Sequence, residues 1–218
     1  TSKTVQVFAD RKNAELSGHL TIGALEGWTS SSIAKTLQTL TNKYPAITFT
    51  ILSGNADDIK WKIDNGLVDV GFLLEPTSTE KYNVEKIGFP ERWMMLTQSD
   101  SELAELDEVR PEVFKKQRIL ISERPEVRQY MADWADCQVS DLNIIGGFNL
   151  GFHLFEIARA GIGEAVVTEG ALIRNYPDLK AIPLSPEVKT YSVLAWKKNI
   201  PLTPVTRAFI KQYLQEND

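Results

Sequence analysis

The chain has 218 residues, 43% of them hydrophobic and 24% charged, a globular composition with enough apolar material for a substantial core and far from that of disordered or membrane-embedded chains. Acidic residues outnumber basic ones, 29 to 24, and no Lys/Arg stripe is present to neutralise phosphates, so this stretch by itself is a poor ligand for nucleic acid. The single Cys137 excludes an internal disulfide and a two-cysteine switch, His19 and His153 stand too far apart for a zinc motif, and no apolar run approaches the roughly 20 residues that span a bilayer.

The first predicted strand covers 16–23 (LSGHLTIG). A helix follows over 30–44, with Ile33, Leu37, Leu40 and Tyr44 at helical spacing, Ser30, Ser31 and Ser32 available to cap it, and Pro45 to end it. Ile47, Phe49 and Ile51 alternate with Thr48 and Thr50, which predicts a half-buried strand. Asn55, Asp57 and Asp58 open a second helix and Gly66 stops it, after which Val68, Val70, Phe72 and Leu74 alternate as a third strand. Helices joining successive strands favour parallel pairing, which makes the class α/β.

Strand character returns over 82–97 and gives way to a polar, acidic stretch over 99–112. A second series then reads strand 118–122, helix 126–135, strand 142–147, helix 150–160, strand 164–168, a short helix near 170–175, and strand 179–184. Gly161 and Gly163 follow a helix and precede a strand, the order of a helix stop rather than of a dinucleotide fingerprint. Lys189 to Lys197 alternates as a last strand, and Thr203-Pro204 starts a final helix that runs to about 216. The two halves are alike in architecture, with no sequence repeat between them.

The order of landmarks resembles the effector-binding domain of LysR-type transcriptional regulators. These are Gly18, Leu20, Ile22 and Gly23 in the first strand, Tyr44-Pro45 after the helix, Asn65, Gly66 and Asp69 before the third strand, and Gly161, Gly163 and Ala165 in the second half. The resemblance implies two Rossmann-like lobes joined by two crossover strands, a fold like that of type II periplasmic binding proteins, with ligand held in the cleft between lobes. Its expected division is a linker remnant over 1–17, lobe I over 18–95 plus 196–218, and lobe II over 96–195. Family members bind DNA through an N-terminal helix-turn-helix and linker helix. The few residues before Leu16 cannot encode both, and Thr1 is no initiator methionine, so the chain reads as the sensing part of a longer regulator.

Open parallel sheets bind ligands beyond the carboxyl ends of their strands. In the first half this points to Trp28, Thr29, Ser30 and Ser31, and to Leu74 and Glu75; in the second half it points to Ser122, Arg124, Asn149, His153 and Thr168. Ser30 and Ser31 either offer hydroxyls to an anion or cap the helix. Trp28 either stacks on a planar effector or packs in the core. Arg124 either pairs with an anionic ligand or is a solvated surface group. Asn149 reads first as the N-cap of the helix after it, and His153 as a first-turn residue of that helix. Glu26 and Glu75 disagree with an all-anion pocket and bring an amino acid or cationic effector into view.

No G-x-S-x-G elbow, P-loop or H-E-x-x-H is present, so neither an enzyme nor a cofactor or metal is expected. The expected partners are a small metabolite of organic-acid or amino-acid type, a second copy of the chain in a homodimer or higher oligomer, and DNA only through the absent N-terminal domain. No membrane is expected, and the location is cytoplasmic. By the resemblance the 31–44 helix, the 47–52 strand and the 150–160 helix lie near the dimer interface. The alternatives are a free-standing solute-binding protein of the same architecture and a small enzyme built on its cleft.

Overall fold

A computed structural model of the protein describes residues 16–172 and 175–217. These form two compact units. Unit 1 holds the described residues up to Leu73, Thr79–Gly88, and those from Ser192 onward; unit 2 is Leu74–Ser78 and Phe89–Tyr191. The division falls within two long strands, at 88/89 and 191/192, where the sequence expectation put it at 95/96 and 195/196. The short 74–78 segment joins unit 2 because its backbone bonds there. Of the expected 1–17 linker remnant, all but Leu16 and Ser17 lies outside the described residues.

Unit 1 is built on the parallel strands β1 (Gly18–Ala24), β2 (Ile47–Ser53) and β3 (Val70–Leu74), with β2 and β3 on either side of β1. Helix α1 (Thr29–Lys43) connects β1 to β2, and α2 (Ala56–Asp64) connects β2 to β3. The pleat sends side chains to two cores. Leu20, Ile22 and Phe72 pack with Ile33, Leu37 and Leu40 of α1 and with the C-terminal helix, whereas Val68 and Leu73 pack with Ile59 and Ile63 of α2. Phe72 meets Tyr213 edge-on at 4.9 Å, an aromatic pair contributing about 1 kcal/mol beyond its burial.

The α2 start behaves as its sequence dictates. Asn55 accepts from the N–H groups of Asp57 and Asp58 at 2.9 Å each, and Asp58 accepts back from the Asn55 N–H, a complete capping box. The α1 start does not. It begins one residue early, at Thr29, and Trp28 stands at the cap position with no side-chain cap bond, so the three serines lie inside the first turn. Strand β2 also departs from expectation. Ile47 is buried, but Phe49 and Ile51 are 45% and 46% exposed, because β2 is an edge strand flanked only by β1 and nothing among the described residues of unit 1 covers the outer part of its apolar face.

Two strands pass from one unit to the other, β4 (Tyr82–Gln98) and, later in the chain, β9 (Lys189–Lys197). Unit 2 contains α3 (Pro111–Phe114), β5 (Ile119–Ser122), α4 (Pro125–Trp134), β6 (Ile144–Phe148), α5 (Gly151–Arg159), β7 (Glu164–Thr168) and β8 (Leu179–Pro183). β5 lies between β6 and β7 and is parallel to both, while β4 is antiparallel to β7 and β8, which makes this sheet mixed. Ile119, Ile121 and Val166 face a core with Val127 and Met131 of α4; Leu120, Ala165 and Val167 face one with Leu154 and Phe155 of α5. A single 3-10 turn, Glu169–Ala171, opens the predicted short helix near 170–175, whose later residues lie partly outside the described set.

After α5 the chain stops at Gly161, which has φ +69°, a left-handed value that a Cβ resists. Gly163 then lies so close to β5 that a Cβ would stand 2.6 Å from the Arg118 carbonyl. The helix-stop reading therefore holds. The last helix, α6 (Pro204–Asn217), is capped by the Thr203 hydroxyl, which accepts from the Thr206 N–H at 3.2 Å. It is tied to α1 by polar bonds: Ser32 to the Tyr213 hydroxyl at 2.8 Å, and the Thr36 and Thr39 hydroxyls donating to Glu216 at 2.8 and 2.7 Å.

Candidate functional site

In unit 1 the candidate loop leaves β1 at Ala24 and enters α1 at Thr29. Gly27 and Trp28 turn their carbonyls toward the helix, accepting from the N–H groups of Ser30 at 3.0 Å and Ser31 at 3.3 Å. The Ser31 hydroxyl also donates to Trp28 O at 3.0 Å, and the Ser30 hydroxyl accepts from Gly27 N–H. The backbone N–H groups of both serines are thus engaged within the turn, while both serine side chains remain exposed. Thr29 is buried. Trp28 is half-buried against the unit 1 core, and its indole lies on the backbone of Gly88, where φ is +64° and a Cβ would overlap the ring. That favours the packing role for Trp28. Glu26 accepts from the Ser53 hydroxyl at 3.0 Å.

In unit 2, Ser122, Arg124 and Glu75 come together around Pro76. Arg124 is 5% exposed, which corrects the solvated-surface reading; its Nη2 donates to Pro76 O at 2.8 Å. Ser122 Oγ accepts from Arg124 N–H at 3.3 Å, and Ser122 O accepts from Arg128 Nε at 3.0 Å. Glu75 N–H donates to Tyr191 O at 3.0 Å, and Glu75 O accepts from the Thr190 hydroxyl. The half-buried Leu74 therefore leads into a segment bonded on both sides. A buried guanidinium needs such acceptors, and the Pro76 carbonyl supplies one.

Asn149 and His153 form an exposed pair at the start of α5. The N-cap is Leu150, without a side-chain cap bond, so Asn149 does not cap the helix as expected. His153 is exposed in the first turn, its ring edge-on to Phe152 at 5.8 Å. Thr168 is buried at the end of β7, opposite Trp93.

The turn after Thr168 is held by residues that sequence reasoning missed. Arg92 gives its N–H, Nε and Nη2 to Glu169 at 3.0, 3.1 and 3.0 Å, and Gly170 N–H donates to the buried Glu91 at 3.0 Å. Burial opposes the Glu169 charge, but the bonds and charge of Arg92 outweigh it and hold its carboxyl below the usual range. These partners stand more than 70 residues apart, so no local pattern announces them. Among the described residues no group of three or more His, Cys, Asp or Glu could hold a metal, and no helix is long and apolar enough to cross a membrane.

Two α/β units, each ending its parallel strands in polar loops before helix starts, define a two-lobed ligand-binding class of protein. The LysR substrate binding domain family model matches residues 13–218, and the chain belongs to that family. Solved structures share the fold at low identity. The effector binding domain of QuiR in complex with shikimate has a TM-score of 0.80 at 15% identity, covering 92% of this chain and 97% of that one. The Synechocystis PCC6803 CcmR regulatory domain in complex with 2-PG has a TM-score of 0.77 at 15% identity, covering 92% and 98%. The C-terminal domain of a probable LysR family regulator from Rhodococcus sp. RHA1 has a TM-score of 0.71 at 18% identity, covering 91% and 100%. No curated protein matches the chain significantly. The chain thus stands with the effector-binding domains of LysR-type transcriptional regulators rather than with free-standing solute-binding proteins.

Proposed function

We propose that this chain senses a small metabolite and dimerises on behalf of a cytoplasmic LysR-type regulator whose DNA contacts are made by a separate N-terminal domain. The observation that carries the reading is the family match over nearly the whole chain, joined to polar loops at the strand ends of both units. The effector contacts assigned are Thr29, Ser30 and Ser31 from unit 1, and Leu74, Glu75, Ser122, Asn149, His153 and Thr168 from unit 2, with Trp28 packed on Gly88 and Arg124 bonded to Pro76 O as the residues that hold the neighbouring backbone. Exposed serine hydroxyls, Asn149 and His153 can donate to an organic acid or amino-acid-like molecule. The relatives bound to shikimate and 2-PG support an effector of that size. The protein is read as a sensor without turnover of its own, its ligand acting by preferring one state of the protein over another.

The surface supports a homodimer. Each unit ends in an edge strand beside a helix, and each such edge exposes apolar side chains: Phe49 and Ile51 on β2, Ile145 on β6, and Phe152 and Ile157 on α5. We assign α1 and β2 of one protomer, with α5 of its partner, to the interface.

A thermal-shift screen against organic acids, amino acids, aromatic carboxylates and sugars tests the sensing role. A ligand at a hundred times its dissociation constant adds about 2.7 kcal/mol of stability, a visible rise in midpoint. Silence across all classes, in protein that native mass spectrometry finds free of bound metabolite, overturns the reading.

A further inference from the structure

Three arginines stand at or beside the strand ends of unit 2, and their forks are placed differently. Arg92 gives Nε and Nη2 to Glu169, and Arg124 is buried with Nη2 on Pro76 O. Arg128, one turn into α4, is half-buried. Its Nε donates to Ser122 O at 3.0 Å, at the end of β5, and neither Nη group has a hydrogen bond or ion pair among the described residues. An added Cβ on Gly147 would stand 2.7 Å from Nη2, so the fork also lies against bare backbone near the end of the neighbouring β6.

The guanidinium is thus oriented by one bond before any ligand arrives. A planar fork held in this way suits an oxyanion, because two parallel N–H donors match two oxygens and little side-chain freedom is left to lose. The Ser122 hydroxyl adds a donor: its oxygen accepts from Arg124 N–H, which leaves its own hydrogen to give.

The acids that bring a cationic effector into view are directed elsewhere. Glu26 accepts from the Ser53 hydroxyl in unit 1. Burial first, and then the charge of Glu75, raise the Tyr130 phenol above its ordinary value, which places Glu75 toward Tyr130. Residues two apart lie on opposite sides of a helix, so Tyr130 and Glu126 both face away from Arg128. Glu123, exposed on the same loop, forms no ion pair with Arg128 among the described residues.

We propose that the effector is an organic anion and that Arg128 receives its carboxylate or phosphate through Nη1 and Nη2, beside the Ser122 hydroxyl. The inference rests on the sensing role proposed above and adds to it the charge of the ligand.

The test titrates the full chain, by thermal shift and calorimetry, with matched charged and neutral probes: benzoate and benzamide, succinate and succinamide, glycerol phosphate and glycerol, with putrescine as the cation. At least one anion is expected to bind roughly tenfold or more tightly than its neutral counterpart, the carboxylate and phosphate arms showing which oxyanion is preferred. In Arg128→Gln that ratio should collapse toward one, whereas a merely structural loss would weaken both members of a pair alike. Arg128→Lys keeps the charge and a donor for Ser122 O but not the fork; it should retain only part of the ratio, and it serves where Arg128→Gln does not fold. Arg207→Gln, an exposed change on α6 of unit 1, should leave the ratio as it is. The inference is overturned if no anion binds by on the order of 10 mM, if a neutral probe or putrescine binds as well as the anions, or if the ratio survives in Arg128→Gln. Equal collapse in Arg207→Gln overturns it as well, since that would be attraction to net charge. Each of these outcomes leaves the sensing role standing, because that role falls only to silence across the wider screen.

Discussion

The helices that follow the first strand of each series, α1 in unit 1 and α4 in unit 2, begin in opposite ways. At α1 two serines lie in the first turn with hydroxyls exposed, their own backbone donors bonded to Gly27 and Trp28. At α4 the residue before Pro125 is Arg124, buried and bonded to Pro76 O. Both starts looked like ligand contacts in sequence. The first keeps side chains that a ligand can reach at little structural cost, whereas the second is a buried guanidinium that donates to the 74–78 segment.

The largest expected consequence is at Arg124. Arg124→Ala leaves the Pro76 carbonyl without its donor and opens a cavity, and should lower unfolding free energy by about 3 kcal/mol in urea denaturation. Arg124→Lys should recover only part of this, because a point charge replaces a forked donor. A variant as stable as the parent that binds effector more weakly would instead make Arg124 a ligand contact and erase the contrast.

Next in size is Gly88→Ala, which pushes a methyl into the Trp28 indole at a left-handed backbone position. A loss of about 2 kcal/mol is expected, with a shifted tryptophan emission spectrum. Unchanged stability would release Trp28 from its packing role and return it to the effector.

The paired Ser30→Ala/Ser31→Ala variant sharpens the comparison from the other side. Stability should change by less than about 0.5 kcal/mol, since neither hydroxyl caps the helix, while effector affinity should fall by roughly tenfold. Loss of stability without loss of affinity would reverse the assignment.

The smallest effect is the pH dependence of Glu216. Burial opposes its charge, but bonds from Thr39, Thr36 and Gln212 outweigh it, with the charge of Lys35 adding, so its carboxyl is held below the usual range. A carboxylate lowered on folding stabilises above its unfolded value, near 4.3, and that contribution is lost as pH falls through the folded value. Glu216→Gln should therefore have a slightly lower melting midpoint at pH 7, and the gap to the parent should close below about pH 4. A gap independent of pH would make the role one of packing.

The α/β class, the order of elements and most helix ends were legible locally. Asn55 with Asp57 and Asp58, Gly161, and Thr203-Pro204 act through neighbours two or three residues away, and each did what its local pattern said. Two local inferences failed for an equally local reason: Ser30 and Asn149 are good cap residues, but α1 begins a residue before the serine and α5 two residues after the asparagine.

The candidate site was legible only as a set of loops. That ligands meet strand ends follows from strand-helix alternation, so Ser30, Ser122 and Thr168 could be named without coordinates. What each side chain is free to do depends on partners far away in sequence: Arg124 on Pro76, Trp28 on Gly88, Glu169 on Arg92.

The sequence by itself determined the family and the alternation of strands and helices, because hydrophobic period, turn residues and landmark spacing act over a few residues at a time. Tertiary structure alone decided that Phe49 and Ile51 are left exposed on an edge, that one arginine is buried, and that another is held at the strand ends with its fork unpaired among the described residues. Burial and hydrogen-bond partnership are properties of long-range packing, and a residue's own neighbours in the chain do not carry them.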